Sequence, residues 1–481
     1  MTQKDQLLEV LAAFSNRSAL EMDTTAEHAS RAALMDTLAV ALGALTHPAA
    51  SAARRYAVHT QVVRGATLWG SGLCVSAETA TLVNGVPLRA YDYNDLYIGK
   101  GGGHPSDMIP GLVALAQWRG LSGTALLSAI ALGVEVSLHL FDHVRLRVGG
   151  LDYPNIVAIA ACCAAARLLQ LSEAETREAL SITVTPHQAS YEVESNDLNE
   201  RGDLTMWKRF NGSDAVRQAV YATLLAEAGV EGVVRPFEGK FGFLARLDID
   251  PPALTALCEA LKPVEKLTRI TQTTYKRWPV GSRGQSAIQA ALEARAGLED
   301  THQIASISID TDEDVYDHLV TQRDAPWNPI SRETADHSLP CIVATAILDG
   351  RIGTETFAAA NVLNPERRQL LAKCVVEPSA ELSGGMRKGF LTRVKIMETS
   401  GRTSIGEAKA PPGHWLQPFV DADFEDKLRD NVTPLFGKNR ADDIITSVWH
   451  FATAEDLQAL CRLTILDDLS SLEVGTSREI A

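Results

Sequence analysis

Seven stretches of the chain, 4–15, 25–44, 74–93, 122–143, 155–170, 173–187 and 213–229, repeat apolar residues at helical spacing. Many are rich in Ala and Leu and short of aromatics. Within 25–44, Leu34, Leu38, Ala41 and Leu42 fall near one face, with Ala33 and Ala39 beside them. Small side chains let helix axes approach closely, and a helix apolar on most sides has to be covered on most sides. The pattern predicts a large helical bundle with buried inner helices. Ser172, followed by Glu173 and Glu175, reads as an N-cap with first-turn acids. Gly229 reads as the stop of a helix that starts near Ser213.

The texture changes near residue 268. Ser306 to Asp310 alternates like a short strand, and Phe390 to Met397 with Thr403 to Glu407 read as a hairpin around Ser400-Gly401. Helical spacing recurs between them at 284–295, 338–348 and 364–371, and after them at 422–434, 438–450 and 454–461. At 481 residues the chain has room for two domains, or for one with an insertion. The expected fold class is mostly α with an α+β part. A helical domain takes 1–268 and 409–468, a smaller α+β lid domain is inserted at 269–408, and 469–481 is a loose tail.

Composition excludes several classes. A net charge of −15 argues against a nucleic-acid-binding surface, which needs clustered Lys and Arg. It leaves an anionic ligand open, provided the site gathers its own cations. The N-terminus shows no basic segment followed by an apolar run and cleavage site. The longest apolar run, Ile156 to Ala166, is 11 residues, too short to span a bilayer. A soluble, cytoplasmic protein with no membrane partner is expected. The seven cysteines are scattered without a CxxC pair, so neither a disulfide framework nor a zinc site is expected. Cys162 and Cys163 read as small core residues. No HExxH, P-loop or dinucleotide fingerprint occurs, so the sequence calls for no metal and no cofactor.

One stretch concentrates chemistry. Asn84 to Pro110 passes Asp92, Tyr93, Asp95 and Tyr97, breaks into Gly99-Lys100-Gly101-Gly102-Gly103, and delivers His104 before Pro105. Consecutive glycines let backbone approach a ligand, and the proline biases His104 toward extended backbone. The segment reads as a site on a pliable loop, or as an ordinary loop in which Asp92 pairs with Arg89 at i, i+3.

The same residues carry a resemblance. N-G at Asn84-Gly85, D-Y-N-D at Asp92 to Asp95 and G-H-P-S-D at Gly103 to Asp107 resemble the signature of the MmgE/PrpD family, the 2-methylcitrate dehydratase-like proteins. Further matches run as far as Pro411-Pro412-Gly413-His414. The twelve-residue step from Asp92 to His104 is similar to the dehydratase branch; the cis-aconitate decarboxylase branch has a shorter one. The resemblance implies a helical domain paired with an α+β lid, dimerisation through the helical part, and an active site in the cleft between domains. It also implies reactions that share removal of a proton from carbon next to a carboxylate or imine-bearing centre. Those need a base near neutral pKa, an acid for the leaving group and cations for the carboxylates.

On the same resemblance, His104 is the acid/base, and Asp92 orients a base or accepts a substrate hydroxyl. Lys208, in LTMWKRFNGSD, resembles the family's lysine at the entry to the next helix, with Asn211 to Asp214 as the turn and helix start. Lys276, in TTYKRWPVGSRG, resembles the lysine of a K-x-Y-P segment. Nearby Arg283 suits carboxylates, since a guanidinium gives two parallel hydrogen bonds, and Ser282 and Lys100 are further candidate substrate contacts. His337 lies in a matching D-H-S. Four positions depart from the family pattern: Leu96 for Thr, Tyr153 for an active-site His, Cys341 for Tyr and Gln285 for His. Tyr153 is a poor base at a pKa near 10, which leaves it as an acid or a substrate donor. The expected function is a cofactor-independent lyase, a 2-methylcitrate dehydratase-like homodimer acting on a hydroxylated di- or tricarboxylate. Epimerisation of a dicarboxylate such as iminodisuccinate, cis-aconitate-type decarboxylation and a non-catalytic binding protein are the alternatives.

Overall fold

Alanine-rich helices bury each other and leave the strands to build a core of their own. The computed structural model describes residues 4–473 apart from 195–198, 201–204, 248, 250 and 409. The first hydrophobic core draws on residues from Leu7 to Tyr275 and again from Phe424 to Leu472. The second runs from Val280 to Ala408. The structure is mostly α with an α+β part.

In the first core, helices Ala77–Arg89, Pro154–Leu168 and Glu173–Val184 all pack on Trp207–Glu227. Helix Gly123–His143 is apolar and long enough to cross a membrane, but 78% of its apolar window is buried inside the protein. The C-terminal helix Asp421–Phe436 returns to pack on Thr24–Gly43. Ser172 caps its helix reciprocally: its hydroxyl accepts from Glu175 N, and the Glu175 carboxylate accepts from Ser172 N at 2.7 Å.

The second core is covered by one four-stranded sheet, in the order Cys374–Pro378, Ile304–Thr311, Thr392–Glu398, Thr403–Glu407. The first pairing is parallel and the other two antiparallel. Helix Gln285–Ala296 lies on its face.

The structure corrects several local expectations. The helix carrying Lys208 begins at Trp207, not near Ser213, so Lys208 sits in its first turn and Asn211 to Asp214 lie inside it. The helix expected to reach residue 93 stops at Arg89, with Pro87 in its last turn. Helices Pro48–Ala57, Ile109–Arg119 and Pro251–Leu261 and strand Cys374–Pro378 were not expected. The expected tail opens with a helical turn, Ser470–Glu473, whose Leu472 is buried in the first core. The rest of that tail lies outside the described residues.

Candidate active site

A bridge of two backbone hydrogen bonds starts the site. Leu96 N donates to Thr274 O at 2.8 Å, and Thr274 N donates to Leu96 O at 2.9 Å. This lays 274–276 beside the turn that follows helix Ala77–Arg89. Lys276 Nζ then donates to the Asp92 carbonyl at 2.6 Å and to its carboxylate at 2.9 Å. Arg89 Nη1 reaches the same carboxylate at 3.2 Å and Asn94 at 2.6 Å. Asp92 therefore pairs with the helix arginine that the sequence offered, and with the cleft lysine as well. Its φ of 48° is left-handed, a conformation that aspartate adopts more readily than most residues. Burial would raise the Asp92 carboxyl, but Lys276 and Arg89 hold it well below the usual carboxylate range. Burial lowers Lys276, against the pull of Asp92.

His104 is held more firmly than a pliable loop suggests. Tyr97–Ile98 and Gly102–Gly103 pair antiparallel, so the turn at 99–101 is pinned at both ends. Gly103 is needed there: a Cβ would lie 2.5 Å from Tyr153 Cδ2 and 2.7 Å from Phe141 Cζ. Beyond it, His104 Nδ1–H donates to the Asp95 carbonyl at 2.5 Å. The Asp95 carboxylate accepts from Ser106 N and Oγ, which fixes the turn behind the ring. A carbonyl can only accept, so Nε2 carries the free lone pair of the neutral ring. Burial, then the charges of Arg89 and Lys276, hold the imidazole well below its usual pKa. His104 is thus a neutral imidazole with its acceptor nitrogen unoccupied among the described residues.

Tyr153 meets His104 edge-on, with ring centroids 5.0 Å apart. Its hydroxyl donates to Asp107 Oδ2 at 2.7 Å, and Asn94 donates to Asp107 Oδ1 at 3.1 Å. Burial, and then the Asp107 charge, push Tyr153 well above its ordinary pKa. Its proton is committed to Asp107, so it does not replace a basic histidine.

The remaining candidates arrive from Trp207–Glu227 and from the second core. Lys208 Nζ donates to Glu333 at 3.0 Å and lies 3.4 Å from Glu194. Burial lowers it, but Glu333 and Glu194 hold it above the usual lysine value. His337 Nδ1–H donates to Asp336 at 2.6 Å. Arg283 Nε donates to Asp314 at 2.8 Å, and its guanidinium lies over the Phe390 ring.

These groups enclose one cavity of about 440 Å³ between the two cores. Asp92, Lys100, His104, Tyr153, Lys208, Lys276, Ser282, Arg283 and His337 all line it. Sequence reasoning missed Arg145, Arg147 and His318 and took Arg89 only as a helix partner; all four line the cavity too. The pair Arg145-x-Arg147 before Gly149-Gly150 was the one local signal. The lining holds seven Lys or Arg (Arg89, Lys100, Arg145, Arg147, Lys208, Lys276, Arg283) against three carboxylates (Asp92, Asp152, Glu194). The cations that the acidic chain had to gather are gathered here. Of the four departures from the family pattern, Leu96 and Tyr153 line the cavity, while Gln285 and Cys341 do not. Gln285 braces the 277–280 turn, accepting from Arg277 N and Trp278 N and donating to the Trp278 and Val280 carbonyls. Cys341 is buried in the second core. Among the described residues no group of three His, Cys, Asp or Glu is placed to hold a metal ion.

The chain is mostly helical with a small α+β part, and its cationic cleft holds a neutral histidine beside a lysine–aspartate pair, an arrangement able to move protons next to an anion. The family model for the MmgE/PrpD N-terminal domain matches residues 9–255, and that for the MmgE/PrpD C-terminal domain matches 278–451. The chain belongs to the MmgE/PrpD family. It is 24% identical to human cis-aconitate decarboxylase over 93% of this chain and 92% of that protein. It is 25% identical to 2-methylcitrate dehydratase of Cupriavidus necator over 78% of this chain and 77% of that protein. It is 24% identical to the Escherichia coli 2-methylcitrate dehydratase over 79% and 80%. Family members with these names are lyases, both dehydratases and decarboxylases.

Proposed function

We propose that the chain is a cofactor-independent dehydratase acting on a hydroxylated di- or tricarboxylate, similar to the 2-methylcitrate dehydratases. The observation that carries this is the neutral His104, with Nε2 free, beside the Lys276–Asp92–Arg89 cluster in a cavity rich in cations. His104 Nε2 takes the proton from carbon next to a substrate carboxylate. The β C–O bond breaks, a C=C bond forms, and Lys276 gives a proton to the departing hydroxyl, which leaves as water. Two of the three Lys276 protons go to Asp92. The third is left for substrate, and burial makes the ammonium a stronger acid. Lys208 and Arg283 bind carboxylates. In this reading residues 269–408 act as a lid over the helical domain, and the protein works as a homodimer.

A second reading, decarboxylation of cis-aconitate type, is favoured by the 93% coverage of the chain by the human decarboxylase match. A panel of di- and tricarboxylates, followed in deuterated water, separates the readings. Dehydration gives ultraviolet absorbance of a new C=C bond without CO2, and decarboxylation releases CO2. Deuterium entering substrate with neither change marks an epimerase. Absence of all three across the panel leaves a binding protein and overturns the lyase reading.

A further inference from the structure

The cavity holds a third imidazole that the chemistry above does not use. The short helix Glu313–Tyr316 widens into a π-helical turn at Asp317–Thr321, and its His318 lines the cavity from the second core. Such turns are rare and recur at functional sites. Arg323 fixes the ring: its Nη2 lies 3.3 Å from His318 Nε2, and its Nε donates to the His318 carbonyl at 3.0 Å. A guanidinium only donates. Nε2 is therefore the acceptor, and the neutral ring carries its proton on Nδ1. That Nδ1 has no hydrogen-bond partner among the described residues. Burial, then Arg283, Arg323, His337 and Arg147 around it, push the imidazole down to about 2, so it stays uncharged at neutral pH.

We propose that His318 is a substrate-orienting donor whose Nδ1–H binds a carboxylate or hydroxyl oxygen of the ligand, from the second core, while His104 works from the first. The proposal rests on the polycarboxylate reading of the cavity. A ring that neither gains nor loses a proton there fixes direction, not charge. It also supplies a donor that Tyr153, bonded to Asp107, cannot supply without giving up that bond.

The test uses the full-length protein labelled with 15N-histidine. Two-bond proton–nitrogen correlation spectra, with the His318 signals assigned by their loss in His318→Asn, should show the neutral Nδ1–H tautomer from about pH 6 to about pH 8. Tricarballylate, a tricarboxylate with no hydroxyl to lose, should shift that Nδ1 resonance. By calorimetry, His318→Phe should weaken tricarballylate binding about tenfold. His318→Asn, whose amide N–H stands near the lost Nδ1–H, should restore most of it. An Nε2–H tautomer, an imidazolium at neutral pH, or unchanged affinity in His318→Phe overturns the proposal and leaves the reading of the cavity standing. Failure of the wild-type protein to bind tricarballylate or any carboxylate of the panel overturns both.

Discussion

Two lysine–aspartate pairs lie back to back in this protein, and they differ in what their ammonium groups have left to give. Lys276 and Lys427 are each 1% exposed. Lys276 donates to the Asp92 carbonyl and Lys427 to the next one, Tyr93, so consecutive carbonyls face opposite lysines. Lys427 spends its other two protons on Asp36 at 2.6 Å and the Lys276 carbonyl at 2.9 Å. Three donors meet three acceptors, and nothing remains for a ligand. It ties helices Thr24–Gly43 and Asp421–Phe436 to the two segments that carry Asp92 and Lys276. The Lys276 pair opens on the cavity and has Arg89 as a second cation. Burial raises Asp36 despite Lys427, whereas Asp92 is held down by its two partners. The same residue types thus build a sealed pair on one side and, on the other, a pair with a proton left for the proposed chemistry; the count of satisfied donors tells them apart.

The largest effect tests the open side. His104→Gln keeps volume and one hydrogen bond but removes proton transfer. Its kcat should fall by about 10²–10⁴-fold with Tm nearly unchanged. A variant keeping more than about a tenth of the wild-type kcat removes His104 as the main proton carrier.

Next comes the sealed side. Lys427→Ala strands a buried Asp36 carboxylate and should cost about 3–5 kcal/mol in denaturant unfolding. The double change Lys427→Met with Asp36→Leu should recover most of that. If Lys427→Ala unfolds at the wild-type midpoint, the pair is no scaffold and the contrast collapses.

Lys276→Ala should do less to the fold and more to the ligand. Losing the proposed proton donor should lower kcat, and losing a charged hydrogen bond should weaken substrate binding by about 1.5–3 kcal/mol, read as direct affinity. Wild-type binding and turnover in this variant would mean that the substrate lies elsewhere.

The smallest effect is in pH. The folded His104 resists a proton that the unfolded chain accepts near pH 6.5, so below that value the unfolded state binds more protons and stability falls as pH falls. For activity, the base is already neutral, so kcat should stay flat through about pH 6.5, its acid limb lying lower. A wild-type limb centred near 6.5 that His104→Gln abolishes would show an ordinary, exposed imidazole instead.

Hydrophobic periodicity made the inner helices legible, since Thr24–Gly43 and Gly123–His143 sit within a residue or two of the expected bounds. The three unexpected helices share a proline in their first turn. Proline there is a start signal, because its missing N–H has no helical partner to lose. Strand Cys374–Pro378 is five residues long at a sheet edge and does not alternate apolar and polar clearly enough to be read. In the site, segments with a family resemblance were legible. His318 was not, because its place depends on a π-turn and a fold partner that no local spacing records. Lys427 sits in FEDKLRD and looks like part of a solvated face; only the return of its helix to Thr24–Gly43 buries it.

The distribution of cations has a kinetic consequence. Lys100, Arg145 and Arg147 are exposed as well as lining the cavity, in a chain whose net charge is −15. An anion diffusing toward this molecule is repelled by its net charge and drawn to these cations, so the field sorts encounters before any contact is made. Such guidance reaches only about a Debye length, roughly 8 Å at physiological ionic strength. Capture of anionic ligands should slow as salt is added, while the steps that follow inside the enclosed cavity keep their pace.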